Sequence, residues 1–214
     1  MKNNNSIPTI TAFKSSPDRG RGLARDFRVR WALEEVGQSY NVQLETFEEL
    51  KKPPYLALQP FGQIPAYKEN DLVLFESGAI IFHIAEKHSG LLPAEENARA
   101  RAIAWMFCAL NTVEMPVVEF STFFFFEKDK SWYNDRLPLA EERIHSMLKK
   151  LSTQLGSSDW LEGDFSAGDL LMVTVLRRLE SSGVLKSYQN ICGYIFRAEA
   201  RPAYQRAFAA QLAV

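Results

Sequence analysis

Glu76-Ser77-Gly78 opens an apolar pattern of 3.6-residue period that runs to His88, so the carboxylate and the hydroxyl fall on the first turn of a helix. First-turn N–H groups have no intrahelical partner; with Ser77 they suit a carboxylate, and Glu76 suits an ammonium. A capping pair with no ligand is the plainer alternative. Gln59-Pro60-Phe61-Gly62-Gln63-Ile64-Pro65 stands just before a short strand. Pro65 cannot donate to a ladder, so it begins or edges that strand. A cis Ile64–Pro65 bond would turn the Ile64 backbone outward, open to pairing with an extended peptide, while a trans, strand-starting proline fits the residues equally well. Phe165-Ser166-Ala167-Gly168-Asp169-Leu170 has the spacing of a capping box with a hydrophobic staple, which makes Asp169 structural rather than catalytic.

Other chemistry-bearing residues carry less. Asp18-Arg19-Gly20-Arg21-Gly22 is not a GxGxxG loop, which speaks against a dinucleotide site. Arg19, Arg21, Arg25, Arg28 and Arg30 form a basic cluster whose default reading is a solvated helix face, and no aromatic pattern supports nucleic acid. The two cysteines, Cys108 and Cys192, sit in apolar, helix-like contexts and read as buried free thiols in a reducing, cytoplasmic setting. With three histidines and no cysteine cluster, a structural zinc site is not expected. Lys plus Arg number 25 against 26 for Asp plus Glu, so nothing in the net charge of −1 draws the chain to nucleic acid or to an anionic membrane. Unbroken apolar runs stay short of the ~20 residues of a membrane span. The opening Met1–Ser6 lacks the apolar block of a signal peptide.

The elements that position these groups follow from periodicity. Residues 8–13 and 40–44 alternate as strands, on either side of a helix over Leu23–Val36 that ends at Gly37. A weaker helix spans Glu48–Leu58. Two apolar runs, Ile64–Tyr67 and Leu72–Phe75, flank a turn and form a hairpin, followed by the helix of residues 76–88. The order βαβ, then ββα, gives a mixed four-stranded sheet. Beyond a Gly/Pro boundary the strand signals stop, and helices are predicted over 97–119, 137–155, 169–180, 193–200 and 203–210. The domains expected are 1–88, a linker 89–96, and an all-helical 97–214.

Arg28–Glu35, Gln59–Pro65, Glu76–Ile80 and Ser166–Asp169, in this order and with a helical second half, resemble the cytosolic glutathione transferase family, of bacterial type, across nearly the whole chain. The resemblance implies an α/β thioredoxin-like first domain, an all-α second domain and a homodimer. It makes Pro65 cis, pairs Ile64 with the cysteinyl part of glutathione, gives Glu76 and Ser77 the γ-glutamyl end, and puts Gln63 near the glycyl carboxylate. Glutathione is then a co-substrate, with no metal, no nucleic acid and no membrane partner. The implied activity is conjugation of the glutathione thiol to small apolar electrophiles in detoxification. A glutathione-dependent disulfide or peroxide reductase, and a non-catalytic binding protein of the same fold, are the alternatives. The family's catalytic residue follows the first strand, where this chain has Ser15 and Ser16 but no Cys or Tyr, and where the loop to Val29 is several residues longer than the pattern. Ser16 is the first candidate for the activating hydroxyl and Ser15 the second; an Arg of the 18–25 loop or a backbone N–H are the remaining ones. Phe107, Leu110, Met115 and Phe123–Phe126 are candidates for an apolar acceptor pocket between the domains, core packing being the alternative.

Overall fold

The computed structural model describes residues 6–18 and 21–213; Met1–Asn5, Arg19 and Gly20 lie outside them. Two compact units are present, Met1–Leu91 together with Pro202–Val214, and Leu92–Arg201.

In the first unit, β1 (Thr9–Phe13) pairs in parallel with β2 (Asn41–Glu45), and α1 (Asp26–Glu35) connects them. The predicted helix of residues 23–36 thus starts three residues late. The Leu23 and Ala24 N–H groups donate to Asp18 (2.6 and 3.0 Å), which holds them in a turn instead. The weaker helix splits into a 3-10 turn, Glu49–Lys51, and the single turn α2 (Pro53–Leu56). Lys52, preceding a proline, is extended and cannot continue a helix. β3 (Ala66–Glu69) and β4 (Leu72–Phe75) form the hairpin, with Asn70 at positive φ in its turn, and α3 (Ser77–Lys87) follows directly. The strand order is β2-β1-β3-β4, with β3 antiparallel to β1, the mixed thioredoxin-like sheet expected. Ile10 and Ala12 of β1 and Phe27, Trp31 and Leu33 of α1 fill the core under it.

The second unit is helical. α4 (Glu96–Phe107), a π-helical segment (Cys108–Val113) and α5 (Glu114–Phe126) follow one another without a break. The helix predicted to end at Glu119 therefore takes in the phenylalanine run, of which Phe123 is buried with Val117 and Phe120. An 18-residue window within 96–126 reaches a mean hydropathy of 1.3 and is 33% buried. By length and composition this helix passes the test for a membrane span, so counting unbroken apolar residues does not exclude one here. α6 (Tyr133–Leu155) packs on α5, and α7 (Ala167–Leu176), buried along its whole length, packs on α4. α8 (Gln189–Glu199) closes this unit.

α9 (Pro202–Leu212), expected with the helical segment, belongs to the first unit and packs on α1. Tyr204 meets Phe27 and Trp31 edge-on at 5.2 and 5.0 Å. Beside them Arg30 donates to Asp26 (2.9 Å), and Gln211 donates to the other carboxylate oxygen (3.1 Å). Burial pushes the Asp26 carboxyl above its usual range, against the pull of Arg30. Arg28 and Arg30, read from sequence as part of a solvated basic face, are only 4% and 1% exposed.

Candidate functional site

Three chain segments reach the same end of the sheet. β1 runs toward it and leads into the loop that carries Ser15 and Ser16. Ile10 faces Tyr67 across β1–β3, so continuing that ladder brings the residues before Ala66 beside the end of β1. Ala66 faces Phe75 across the hairpin, so one step further sets Pro65 beside Glu76. The candidates from Ile64–Pro65, Glu76–Ser77 and Ser15–Ser16 are thereby gathered at one edge of the first unit.

Glu76 occupies the N-cap position of α3 at φ 68°, and Ser77 is the first helical residue. Glu76 is exposed, and no described side chain bonds its carboxylate. Ser77 is 5% exposed and accepts a hydrogen bond from Arg28 Nη1 (3.3 Å). No described group accepts the Ser77 hydroxyl proton. Ile80 is the first residue of the helix whose N–H has a partner, the Glu76 carbonyl at 3.0 Å. The N–H groups of Ser77, Gly78 and Ala79 are therefore open, the arrangement that receives an anion at a helix start.

The Ile64–Pro65 bond is cis. Neither the N–H nor the C=O of Ile64 bonds any described residue, so both are available to an added extended chain. The loop is tied from behind. Gln59 Oε1 accepts from the N–H groups of Phe61 (2.7 Å) and Gln63 (3.1 Å). The Tyr55 hydroxyl donates to the Gln63 carbonyl (2.7 Å), and Thr11 Oγ1 accepts from the Ala66 N–H (2.7 Å). With the Tyr55 proton so placed, Thr11 donates to the Tyr55 oxygen (2.9 Å). Burial raises the Tyr55 phenol above its usual range and keeps it a donor. Gly62 sits at φ 62°, where a Cβ would come within 2.9 Å of the Leu50 carbonyl. The Gln63 side chain is exposed at this edge.

In the loop after β1, the Ser16 hydroxyl donates to Asp18 Oδ1. Its proton is engaged. Ser15 is exposed and its hydroxyl bonds no described residue. Arg19 lies outside the described residues. Sequence reasoning missed Asp18, Thr11, Tyr55 and the inward course of Arg28. No local motif marks them, and Arg28 differs from the exposed Arg21 and Arg25 in lying within Asp26–Leu33 of α1, a stretch buried on every side.

In the second unit, Cys108 and Cys192 are free thiols at intermediate depth; burial raises the Cys108 thiol, while Cys192 donates to the Leu185 carbonyl (3.2 Å). Of the apolar-pocket candidates, Phe107, Met115 and Phe126 are 63%, 71% and 74% exposed, while Phe123 is core. A groove of about 1120 Å³ runs between α4, the π-helical segment, α5 and α6, with Trp105, Met115 and Leu139 beside the charged Glu119, Arg143 and Lys150. The Ser166 capping box is present as expected, with Asp169 accepting from the Ser166 N–H (2.9 Å), and also from Tyr194 (2.9 Å).

Residues 19–86 match the family model "Glutathione S-transferase, N-terminal domain". Glutathione S-transferase 1 of Zea mays is 30% identical over 194 residues, 84% of this chain and 88% of that protein. Glutathione S-transferase F11 of Arabidopsis thaliana is 31% identical over 181 residues, covering 78% and 82%. Among solved structures, glutathione transferase F7 of Populus trichocarpa superposes with a TM-score of 0.81 at 24% identity, over 96% of this chain and 99% of that one. A glutathione transferase family member from Pseudomonas fluorescens pf-5, solved with two glutathione bound, gives 0.82 at 22% identity over 96% and 94%. These structural likenesses carry the fold, and plant and fungal proteins supply the sequence likeness, so the bacterial type is not part of what the comparisons establish. With the four-stranded mixed sheet, the helical second unit and this extent of identity, the chain belongs to the glutathione S-transferase family.

Proposed function

We propose that this chain binds glutathione at the Ile64/Glu76/Ser77 edge and conjugates it, through its thiol sulfur, to small apolar electrophiles. The observation that carries the reading is the start of α3, where a buried hydroxyl with an unclaimed proton and three open N–H groups stand beside a free carboxylate. In this reading Ser77 and the helix start hold the γ-glutamyl carboxylate, and Glu76 holds the ammonium. Ile64 pairs with the cysteinyl backbone beside Pro65, and Gln63 lies toward the glycyl carboxylate. The thiolate donor comes from the loop after β1. Of the two candidates, Ser16 donates its hydrogen bond to Asp18, which leaves Ser15 as the hydroxyl able to donate to the sulfur. The working form is a homodimer, and the role is detoxification in a reducing, cytoplasmic setting.

The test is direct. Titration calorimetry of the wild type gives glutathione binding, and Ser77→Ala weakens it about ten- to a hundredfold, the worth of one hydrogen bond to a charged group. Turnover is then measured with aryl halides, isothiocyanates, disulfides and hydroperoxides. Conjugation of the first two supports the reading. Turnover confined to disulfides or hydroperoxides makes the chain a reductase, and binding with no turnover makes it a ligand carrier.

A further inference from the structure

Three hydrogen bonds in the first unit form one line of fixed direction. An amide N–H only donates and a carbonyl only accepts. The Ala66 N–H donates to Thr11 Oγ1 (2.7 Å), and the Tyr55 hydroxyl donates to the Gln63 carbonyl (2.7 Å). With the Tyr55 proton spent, the remaining 2.9 Å contact runs from the Thr11 hydroxyl to the Tyr55 oxygen. The line starts at the residue after Pro65 and ends at the residue before Ile64, so it brackets that pair. Thr11 and Tyr55 are each 3% exposed, which keeps solvent from competing for either hydroxyl. Thr11 also marks where β3 leaves the sheet. The β1–β3 register is Thr9–Lys68 and Ile10–Tyr67, and at the next position the Ala66 N–H goes to the Thr11 side chain. On its other edge β1 stays paired: Phe13 faces Glu45, and the Lys14 N–H donates to the Glu45 carbonyl (2.9 Å). One strand, held in register up to the residue before Ser15, thus carries both the Ser15–Ser16 loop and the hydroxyl that anchors the Ile64 backbone. A hydrogen bond to sulfur weakens steeply with misalignment, and a displacement of about 1 Å can cost a factor of about a hundred.

We propose that Thr11 and Tyr55 are positioning residues for the glutathione thiol. Their line of hydrogen bonds sets where Ile64 stands relative to β1, and through it how the bound cysteinyl sulfur meets the hydroxyl of the loop after β1. They touch neither the peptide nor the sulfur. The inference rests on reading Ile64 as the partner of the cysteinyl backbone and that loop as the source of the thiolate donor.

The experiment compares the wild type with Thr11→Val, Thr11→Ser and Tyr55→Phe. It reads the thiolate absorbance of bound glutathione against pH, glutathione affinity by calorimetry, and the urea midpoint. Thr11→Val keeps the side-chain shape and removes the hydroxyl. It is expected to raise the thiol pKa of bound glutathione by about one unit, with affinity within about threefold of the wild type. Tyr55→Phe leaves the Gln63 carbonyl without its donor and moves the pKa the same way. Thr11→Ser rebuilds the line and brings the pKa back to within about 0.3 of the wild type. If Thr11→Val does not fold, Tyr55→Phe decides. A merely structural role lowers the urea midpoint and leaves the thiol pKa of the folded protein in place. That result, affinity lost at an unchanged thiol pKa, or a pKa that Thr11→Ser does not restore, overturns the inference. A wild type that does not bind glutathione overturns the proposed function and the inference with it. A wild type that binds it with the thiol at its ordinary value of about 8.5 overturns the inference alone.

Discussion

Ser15 and Ser16 are neighbours that differ in where the hydroxyl proton goes. A free thiol has a pKa of about 8.5, and making it mostly thiolate at neutral pH takes roughly two units, about 2.7 kcal/mol of preference for the charged form. One hydroxyl donor to the sulfur contributes about 1.5–3 kcal/mol. A donor already committed to a carboxylate contributes little until it lets go. Ser16 is so committed, to Asp18, whose other oxygen gathers the Leu23 and Ala24 N–H groups. Ser15→Ala is therefore expected to raise the thiol pKa of bound glutathione by about one to two units and slow conjugation about ten- to a hundredfold, with binding nearly unchanged. Thiolate absorbance against pH measures this. A shifted titration in Ser16→Ala with none in Ser15→Ala would return the role to Ser16.

Two junctions between elements set their own tests. At the start of α7, a Cβ on Gly168 would lie 2.7 Å from Trp105 Cβ and 3.1 Å from the Ala102 carbonyl, so α4 and α7 approach as closely as a glycine allows. Gly168→Ala must separate them and is expected to cost about 1–3 kcal/mol as overpacking does. Ser166→Ala removes the cap at about 0.5–2 kcal/mol. Urea midpoints rank the two, and the turnover of folded protein stays near normal. At the other junction, Glu69 at the end of β3 takes Lys87 at the end of α3 (2.6 Å), with Ser6 and Tyr67 (both 3.0 Å). Burial alone would raise the Glu69 carboxyl, but these donors outweigh it and hold it at about 2, against the usual 4.5. The stabilisation is whole above pH 4.5 and is lost as pH falls toward 2, because the unfolded chain takes up the proton first. Glu69→Gln is expected to flatten that part of the melting-temperature profile. The capping box was legible because all its parts lie within six residues. The break between α2 and the 3-10 turn before it was half-legible, since Pro53-Pro54 announces an interruption but not its geometry. The late start of α1 was not legible, because it depends on Asp18 reaching forward to two N–H groups.

For the molecule as a whole, the mixed four-stranded sheet followed from a βαβ pattern succeeded by a hairpin, and the all-helical remainder from the loss of alternation; the strand order, with β1 between β2 and β3, did not. The partner of α9 did not follow. Ala203, Tyr204 and Ala207 mark one buried face by their spacing, but a spacing names no neighbour, and the partner is α1. Deleting residues 202–214 is expected to uncover Phe27 and Trp31 and to strip hydrogen-exchange protection from α1, while α6 and α7 of the other unit keep theirs. The proposed homodimer is checked by sedimentation at micromolar concentration, which should give one species near twice 24.4 kDa. The return of α9 also imposes an order on biosynthesis. Leu91 leaves the ribosome on the order of ten seconds before residues 202–212 at ordinary elongation rates. During that interval the nascent first unit has its sheet but an open face on α1, where Trp31, Phe27 and the Asp26–Arg30 pair lack the cover of α9. The unit translated first is thus the one finished last, and a nascent-chain chaperone would find its binding surface there.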